Sequence, residues 1–220
     1  RRAGLELRTG RTIAAPSLPG GQPANPLTQP ERHHIGIADG VALIGSDAHY
    51  WPGLPPTTAH RAFVRLCREL KPKLVVVNGD ELDFPSISRH AAIGWESRPA
   101  VIEEIEEAKS RLEEIHTASK GAEHVWPAGN HALRFETRLA AIAPEYARVH
   151  GIHLKDHFPQ WVPCWSCWIN DDVVVKHRFK VGIHAPHNNT LWAGKTMLTG
   201  HLHSLKVMPI SDYNGTRWGV

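Results

Sequence analysis

Five short apolar runs, each leading into aspartate, asparagine or histidine, restrict the folds open to this chain more than any other feature. Val41, Ala42, Leu43 and Ile44 run into Asp47 and His49. Leu74, Val75, Val76 and Val77 run into Gly79 and Asp80. Val125 and Trp126 lead through Pro127 and Ala128 to Gly129, Asn130 and His131. Val173, Val174 and Val175 lead to His177, and Met197 and Leu198 lead to Gly200, His201, Leu202 and His203. Short β-rich runs bounded by glycine, asparagine or aspartate read as buried strands.

Helical patterns lie between these strands. Thr57 or Thr58 caps a segment in which Ala59, Ala62, Phe63, Leu66 and Leu70 follow a 3.6-residue period, and Pro72 ends it. Val101, Ile102, Ile105, Ala108, Leu112 and Ile115 form one stripe of a second helix over residues 100–117, with charged residues opposite. A weaker helix over 139–147 is interrupted by Pro144. Residues 165–175 read as a hairpin turning at Asn170, Asp171 and Asp172. Alternating strands and helices indicate an α/β architecture, in which ligands bind beyond the carboxyl ends of the strands. All five polar clusters fall there. Residues 1–35 begin in Gly-, Pro- and Arg-rich sequence and read as an irregular arm, with one domain over 36–220.

The side chains at the strand ends suit divalent cations. Asp47 and His49 are two residues apart, which on extended chain aims both the same way, and His201 and His203 repeat that spacing. Gly79 allows a tight turn that thrusts Asp80 into a crowded site, where its two oxygens can serve two cations. Asn130 adds a carbonyl oxygen and His177 an imidazole. Mixed Asp, Asn and His ligands favour Mn, Fe, Zn or Ni over Ca or Mg. Two such ions about 3.5–4 Å apart would clamp a phosphoryl group and acidify a bridging water, giving a hydroxide that attacks phosphorus in line. His131, next to Asn130, is placed to protonate the leaving oxygen.

This ordered set, Asp47-Ala48-His49, Gly79-Asp80 with Asp83, Gly129-Asn130-His131, His177 and Gly200-His201-Leu202-His203, resembles the calcineurin-like metallophosphoesterase family. The run Ser86-Ile87-Ser88-Arg89-His90 is similar to a phage or bacterial subgroup. The resemblance implies a four-layer αββα sandwich of two mixed β-sheets flanked by helices. It also implies a phosphodiesterase, nuclease or phosphomonoesterase activity. Asp47, His49 and His203 would bind one metal, Asn130, His177 and His201 the other, with Asp80 bridging and His131 as the acid. Arg89, His90 and Arg134 lie near the motif loops and suit substrate phosphate. The expected partner is a phosphate ester, nucleotide or nucleic acid.

The sequence departs from the family pattern in three places. Ala132 stands where an acid usually orients the histidine, with Glu136 as a substitute. Arg178 follows His177 where glycine is usual, and His184 and His187 compete with His177 as the seventh ligand. The chain also ends 17 residues after His203, short for the family. Asp83 reads as a structural residue of its loop. Two other readings stand beside the enzyme: a non-catalytic scaffold of the same fold that binds a protein partner, favoured only by Ala132, and a mononuclear hydrolase.

Composition narrows the remaining classes. A net charge of +3, from 25 basic and 22 acidic residues, does not by itself imply a nucleic-acid binder. Sixteen histidines invite a metal search, although His33, His34, His60, His116, His124, His150, His153 and His157 read as exposed or supporting groups. Three cysteines cannot form a disulfide framework, which favours a reducing, cytoplasmic setting, and Cys164 and Cys167 read as plain hairpin residues. The tryptophans, including Trp161, Trp165 and Trp168, read as core and sheet packing. No apolar run approaches the roughly 20 residues that span a bilayer, and the N-terminus shows neither a signal core nor an initiator Met, as in a fragment.

Overall fold

The computed structural model describes residues 32–92 and 94–220. Among the described residues ten strands form two sheets. The first sheet contains β2 (Ala42–Gly45), β3 (Leu74–Val77), β4 (Glu123–Pro127) and β5 (Val162–Cys164), in that order and parallel throughout. The second sheet is mixed. Its order is β1 (His33–Ile35), β6 (Cys167–Ile169), β7 (Val173–Lys176), β8 (Thr196–Thr199), β10 (Gly215–Gly219) and β9 (Met208–Asp212).

The period-two rule explains how the sheets stack. Leu74 and Val76 of β3 face one way, into a cluster with Val125, Cys164, Cys167, Ile169 and Val175, which come from both sheets. Val75 and Val77 face the other way. They meet Val64 and Cys67 of α1 (Thr58–Leu70) and Ile105, Ala108, Leu112 and Ile115 of α2 (Val101–Ala118). All four β3 side chains are almost wholly buried, each contributing about 1.5–3 kcal/mol by leaving water. On the far side, α4 (Ala185–Ala193) lies against β8, β9 and β10. The layers are therefore helix, parallel sheet, mixed sheet, helix, the αββα sandwich expected.

Local signals set most element ends. The Thr57 hydroxyl accepts the His60 amide at 3.1 Å and starts α1, while Lys71 turns left-handed ahead of Pro72. The buried face of α1 is His60, Phe63, Val64 and Cys67, one residue round from the stripe expected, which leaves Ala59, Ala62 and Leu70 in water. On α2 the Glu103 carboxylate accepts the Ala100 amide at 2.7 Å, and Ile102, off the 3.6-residue line, is exposed.

Other expectations shift further. The third helix, α3, is Leu133–Ile142 rather than 139–147. It springs straight from the His131 loop, and Pro144 opens a separate short turn. Of the arm read over 1–35, residues 33–35 are β1, held parallel to β6 by the sheet ladder, and residues 1–31 lie outside the described residues. The hairpin turns where expected: Asn170 and Asp171 are left-handed, and β6 pairs antiparallel with β7. Cys167 opens β6 and is a hairpin residue as expected, whereas Cys164 ends β5 of the other sheet, and both are buried in the core between the sheets. Trp161 is buried, whereas Trp165 is exposed. Among the described residues no helix is long and apolar enough to cross a membrane.

Candidate metal centre

Parallel pairing brings the carboxyl ends of β2, β3 and β4 to one edge of the first sheet, and β7 and β8 end beside them in the second. The loops that follow are stitched together. Asp47, His49 and Tyr50 amides donate to the carbonyls of Gly79, Asp80 and Glu81 at 2.9–3.0 Å, and the Gly200 amide donates to His177 at 3.0 Å. Gly79 has φ 77°. Gly129 packs so closely on Asp80 that a Cβ there would overlap the carboxylate. Each carboxylate is also gripped by a neighbouring loop: the His131 amide donates to Asp80 Oδ1 at 2.8 Å, and the His201 amide donates to Asp47 Oδ1 at 2.9 Å.

Three groups of metal-type side chains result among the described residues, and each could hold a cation: Asp47 with His49 and His203, Asp80 with His177 and His201, and His49 with Asp83 and His131, of which the first two contain the expected ligands. In the first, His203 Nε2 lies 3.2 Å from Asp47 Oδ1 and 3.1 Å from His49 Nε2. In the second, His177 Nε2 lies 2.9 Å from Asp80 Oδ2, with His201 alongside. His177 also stands 4.0 Å from Asp47 Oδ1, so the two groups adjoin. Ligands sharing one cation at about 2.1 Å sit roughly 3.0–3.4 Å apart, close to the spacings found. The two-apart pairs behave differently from extended chain. Asp47, His49, His201 and His203 all have left-handed backbones, and His201 and His203 go to different groups.

Hydrogen-bond bookkeeping supports the fit. His177 Nδ1 is 2.7 Å from the Asn78 carbonyl, which can only accept, so the neutral ring carries its proton there. Its Nε2 then faces Asp80 Oδ2 at 2.9 Å, where a proton on the ring or a cation held by both groups supplies positive charge between them. His49 follows the same logic: Nδ1 donates to Asp83 Oδ1 at 2.9 Å and frees Nε2. Asn130 Oδ1 is buried with no hydrogen-bond partner among the described residues.

Burial and charge set the titration of these groups. Burial alone would lower His177, but the Asp80 carboxylate beside it raises it above the ordinary histidine range. Burial would likewise raise Asp80, yet His177 and the His131 amide hold it below the carboxylate range. Burial lowers His201, helped by the positive charges of Arg178 and His177. Behind the site, burial pushes Glu81 well up, and its Oε2 accepts the Trp126 indole N–H at 2.5 Å.

Asp83 does more than brace its loop. Its Oδ1 lies 2.7 Å from His131 Nδ1 as well as 2.9 Å from His49 Nδ1. Burial would raise this carboxyl, and the two rings pull it below the usual range instead. It occupies the orienting place that Ala132 cannot fill. Glu136 is used elsewhere, accepting the Leu154 amide at 2.8 Å and facing His153 at 3.3 Å. The signal for Asp83 was its position three residues after Asp80. His184 is exposed at the start of α4, His187 sits one turn into that helix, and neither joins the cluster. Arg134 donates to the Asp83 carbonyl at 2.6 Å and reaches His131 Nε2 at 3.4 Å. Arg89 and His90 are exposed on the loop after Asp83.

No family model matches this sequence, and no curated protein matches it. Among solved structures 15 chains match. One is a protein serine/threonine phosphatase from Saccharomyces cerevisiae with similarity to human phosphatase PP5, at 14% identity and a TM-score of 0.33. The match covers 68% of this chain and 42% of that one, so the chain spans under half of its length.

Proposed function

We propose that the chain is a metal-dependent hydrolase of phosphate esters working with two divalent cations. One observation carries the reading: wholly buried His177 turns Nε2 onto Asp80 Oδ2 at 2.9 Å with His201 alongside and Asp47 4.0 Å away, a converging donor set that suits a cation. Asp47, His49 and His203 would hold one cation and Asn130, His177 and His201 the other, with Asp80 beside both. Mn, Fe, Zn or Ni suits the donor set. Such ions would supply charge neutralisation for phosphoryl oxygens and acidify a bound water.

The chain's own groups then position and protonate. Arg134, with Arg89 and His90 at the rim, orients a phosphate oxygen. His131, held by Asp83 at Nδ1, gives the proton on Nε2 to the leaving oxygen as the P–O bond breaks. The ring keeps its Nδ1 proton on Asp83 and is recharged from solvent. Asp83 lies 2.7 Å from His131 Nδ1 and orients the ring, so Ala132 no longer favours a non-catalytic scaffold. All three thiols are unpaired and buried, which suits a reducing, cytoplasmic setting.

The test is hydrolysis of bis-p-nitrophenyl phosphate and p-nitrophenyl phosphate by Mn-loaded protein, with metal counted per chain. Turnover of either ester with two equivalents supports the reading, and their ratio separates diesterase from monoesterase. Two bound equivalents with no turnover would favour the scaffold; one equivalent with turnover would favour a mononuclear hydrolase.

A further inference from the structure

An open cleft of about 580 Å³ adjoins the candidate metal centre at Asn130. Arg89, Arg134, Arg138 and Arg178 line it together with His90, and no aspartate or glutamate does. Elsewhere on the molecule Arg65, Arg98, Arg111 and Arg217 are each paired with a carboxylate, while Arg32, Arg61, Arg68 and Arg148 are not and stand apart from one another in sequence. Around the cleft, Arg89, Arg138 and Arg178 have no ion pair or hydrogen bond among the described residues.

Their arrangement has a direction. Arg134 and Arg138 are one turn apart on α3, so their side chains share a helix face with a rise of about 6 Å between them. The inner one touches His131, at the leaving-group side of the proposed reaction. The outer one therefore carries positive charge outward from the leaving oxygen. Four guanidiniums lining one cleft without a carboxylate favour an anion there, and a guanidinium fork matches phosphate.

We infer that this cleft is a second phosphate subsite, and that the preferred substrate is an ester whose leaving group carries a further phosphate. The inference rests on the phosphoesterase reading for the word substrate, but the anion subsite stands on the arginines alone. Two sources offer this chemistry, a single nucleic-acid strand and a nucleoside polyphosphate.

The experiment uses the full chain in two arms. With Mn, kcat/KM is compared for a thymidine dinucleoside monophosphate and for the same dinucleotide bearing both terminal phosphates. Pentathymidylate and ATP are run alongside to separate strand from polyphosphate. In EDTA, binding of fluorescein-labelled pentathymidylate and of sodium tripolyphosphate is titrated against salt. The terminal phosphates are expected to raise kcat/KM about tenfold, and Arg138→Glu or Arg178→Glu to abolish that preference. Loss of one arginine should also cut the salt slope of strand binding by about 0.7. If the dinucleotide is hydrolysed but terminal phosphates bring no preference and neither variant alters it or binding, the subsite is wrong and the phosphoesterase reading survives. If no ester is hydrolysed yet both variants weaken binding about tenfold, the subsite stands and that reading falls. If no ester is hydrolysed and neither probe binds, both fall.

Discussion

His177 and His124 are both buried, at 0% and 5% exposure, yet their surroundings push them in opposite directions. His124 lies on β4 in the helix-facing layer. Its ring packs 4.8 Å from His116 and 5.1 Å from Trp161, and its Nε2 meets the Ser119 hydroxyl at 2.9 Å. Burial, then the neighbouring His116, pulls it down to about 4. His177 lies at a strand end between the sheets, where Asp80 overrides burial and raises it. Burial therefore makes a histidine neutral by default. The strand-end region departs from that default because it is built to keep positive charge, whereas the helix layer is built to pack.

The largest effect comes from erasing the difference. Asp80→Asn keeps the shape but removes the charge, leaving His177 as isolated as His124. Phosphodiester turnover should fall about a thousandfold or more, with metal lost by elemental analysis. Retained turnover would show that Asp80 is not shared between the ions.

The two metal groups sharpen the contrast next. His177 is wholly buried, while the His203 side chain is 59% exposed. His177→Gln should weaken metal binding about 100-fold, and His203→Gln about tenfold, with excess Mn restoring activity only in the latter. Equal losses in competition with a chelator would mean that burial does not rank the sites.

Asp83→Asn tests a carboxylate that serves two rings at once. It should lower kcat about 10- to 100-fold with little change in KM, and weaken the metal that His49 helps hold. A kcat effect without any change in metal affinity would assign Asp83 to His131 alone.

Stability against pH gives the smallest effect and the most direct comparison. In metal-free protein, His124 has a folded pKa below its unfolded value, so the unfolded state binds the extra proton first. It therefore costs stability as pH falls from about 6.5 toward 4, by about 2 kcal/mol at pH 5. His177, raised when folded, does the reverse: its contribution is full below about 6.5 and lost as pH rises through its folded value. Urea midpoints in EDTA between pH 5 and 8 should flatten on the acid side for His124→Gln and on the neutral side for His177→Gln. Slopes that move together would overturn this.

Much of this contrast was legible in the chain. Strand ends and ligand types coincide in the sequence, and β2, β3, β4, β7 and β8 formed where apolar runs predicted them. What escaped had little side-chain signal. α4 carries no apolar stripe, and β9 and β10 pair through backbone with mostly exposed side chains. β5 contains Pro163, tolerated because the strand lies at a sheet edge. His177 is oriented by the Asn78 main-chain carbonyl, which no residue type encodes. Asp83 was visible, but its use by two histidines from different loops needed three dimensions.

The left-handed backbones at Asp47, His49, Asp80, His201 and His203 have an evolutionary side. For residues other than glycine, that conformation costs roughly 1–2 kcal/mol, less for aspartate. Five such positions fall on proposed ligands. Glycine at His201 or His203 would relax the chain, whereas at Asp47 or Asp80 it would strand the His201 or His131 amide that the carboxylate holds. The fold alone would thus gain from losing its outer histidines, and drift toward a sturdier, inert protein is downhill there wherever selection on metal binding lapses.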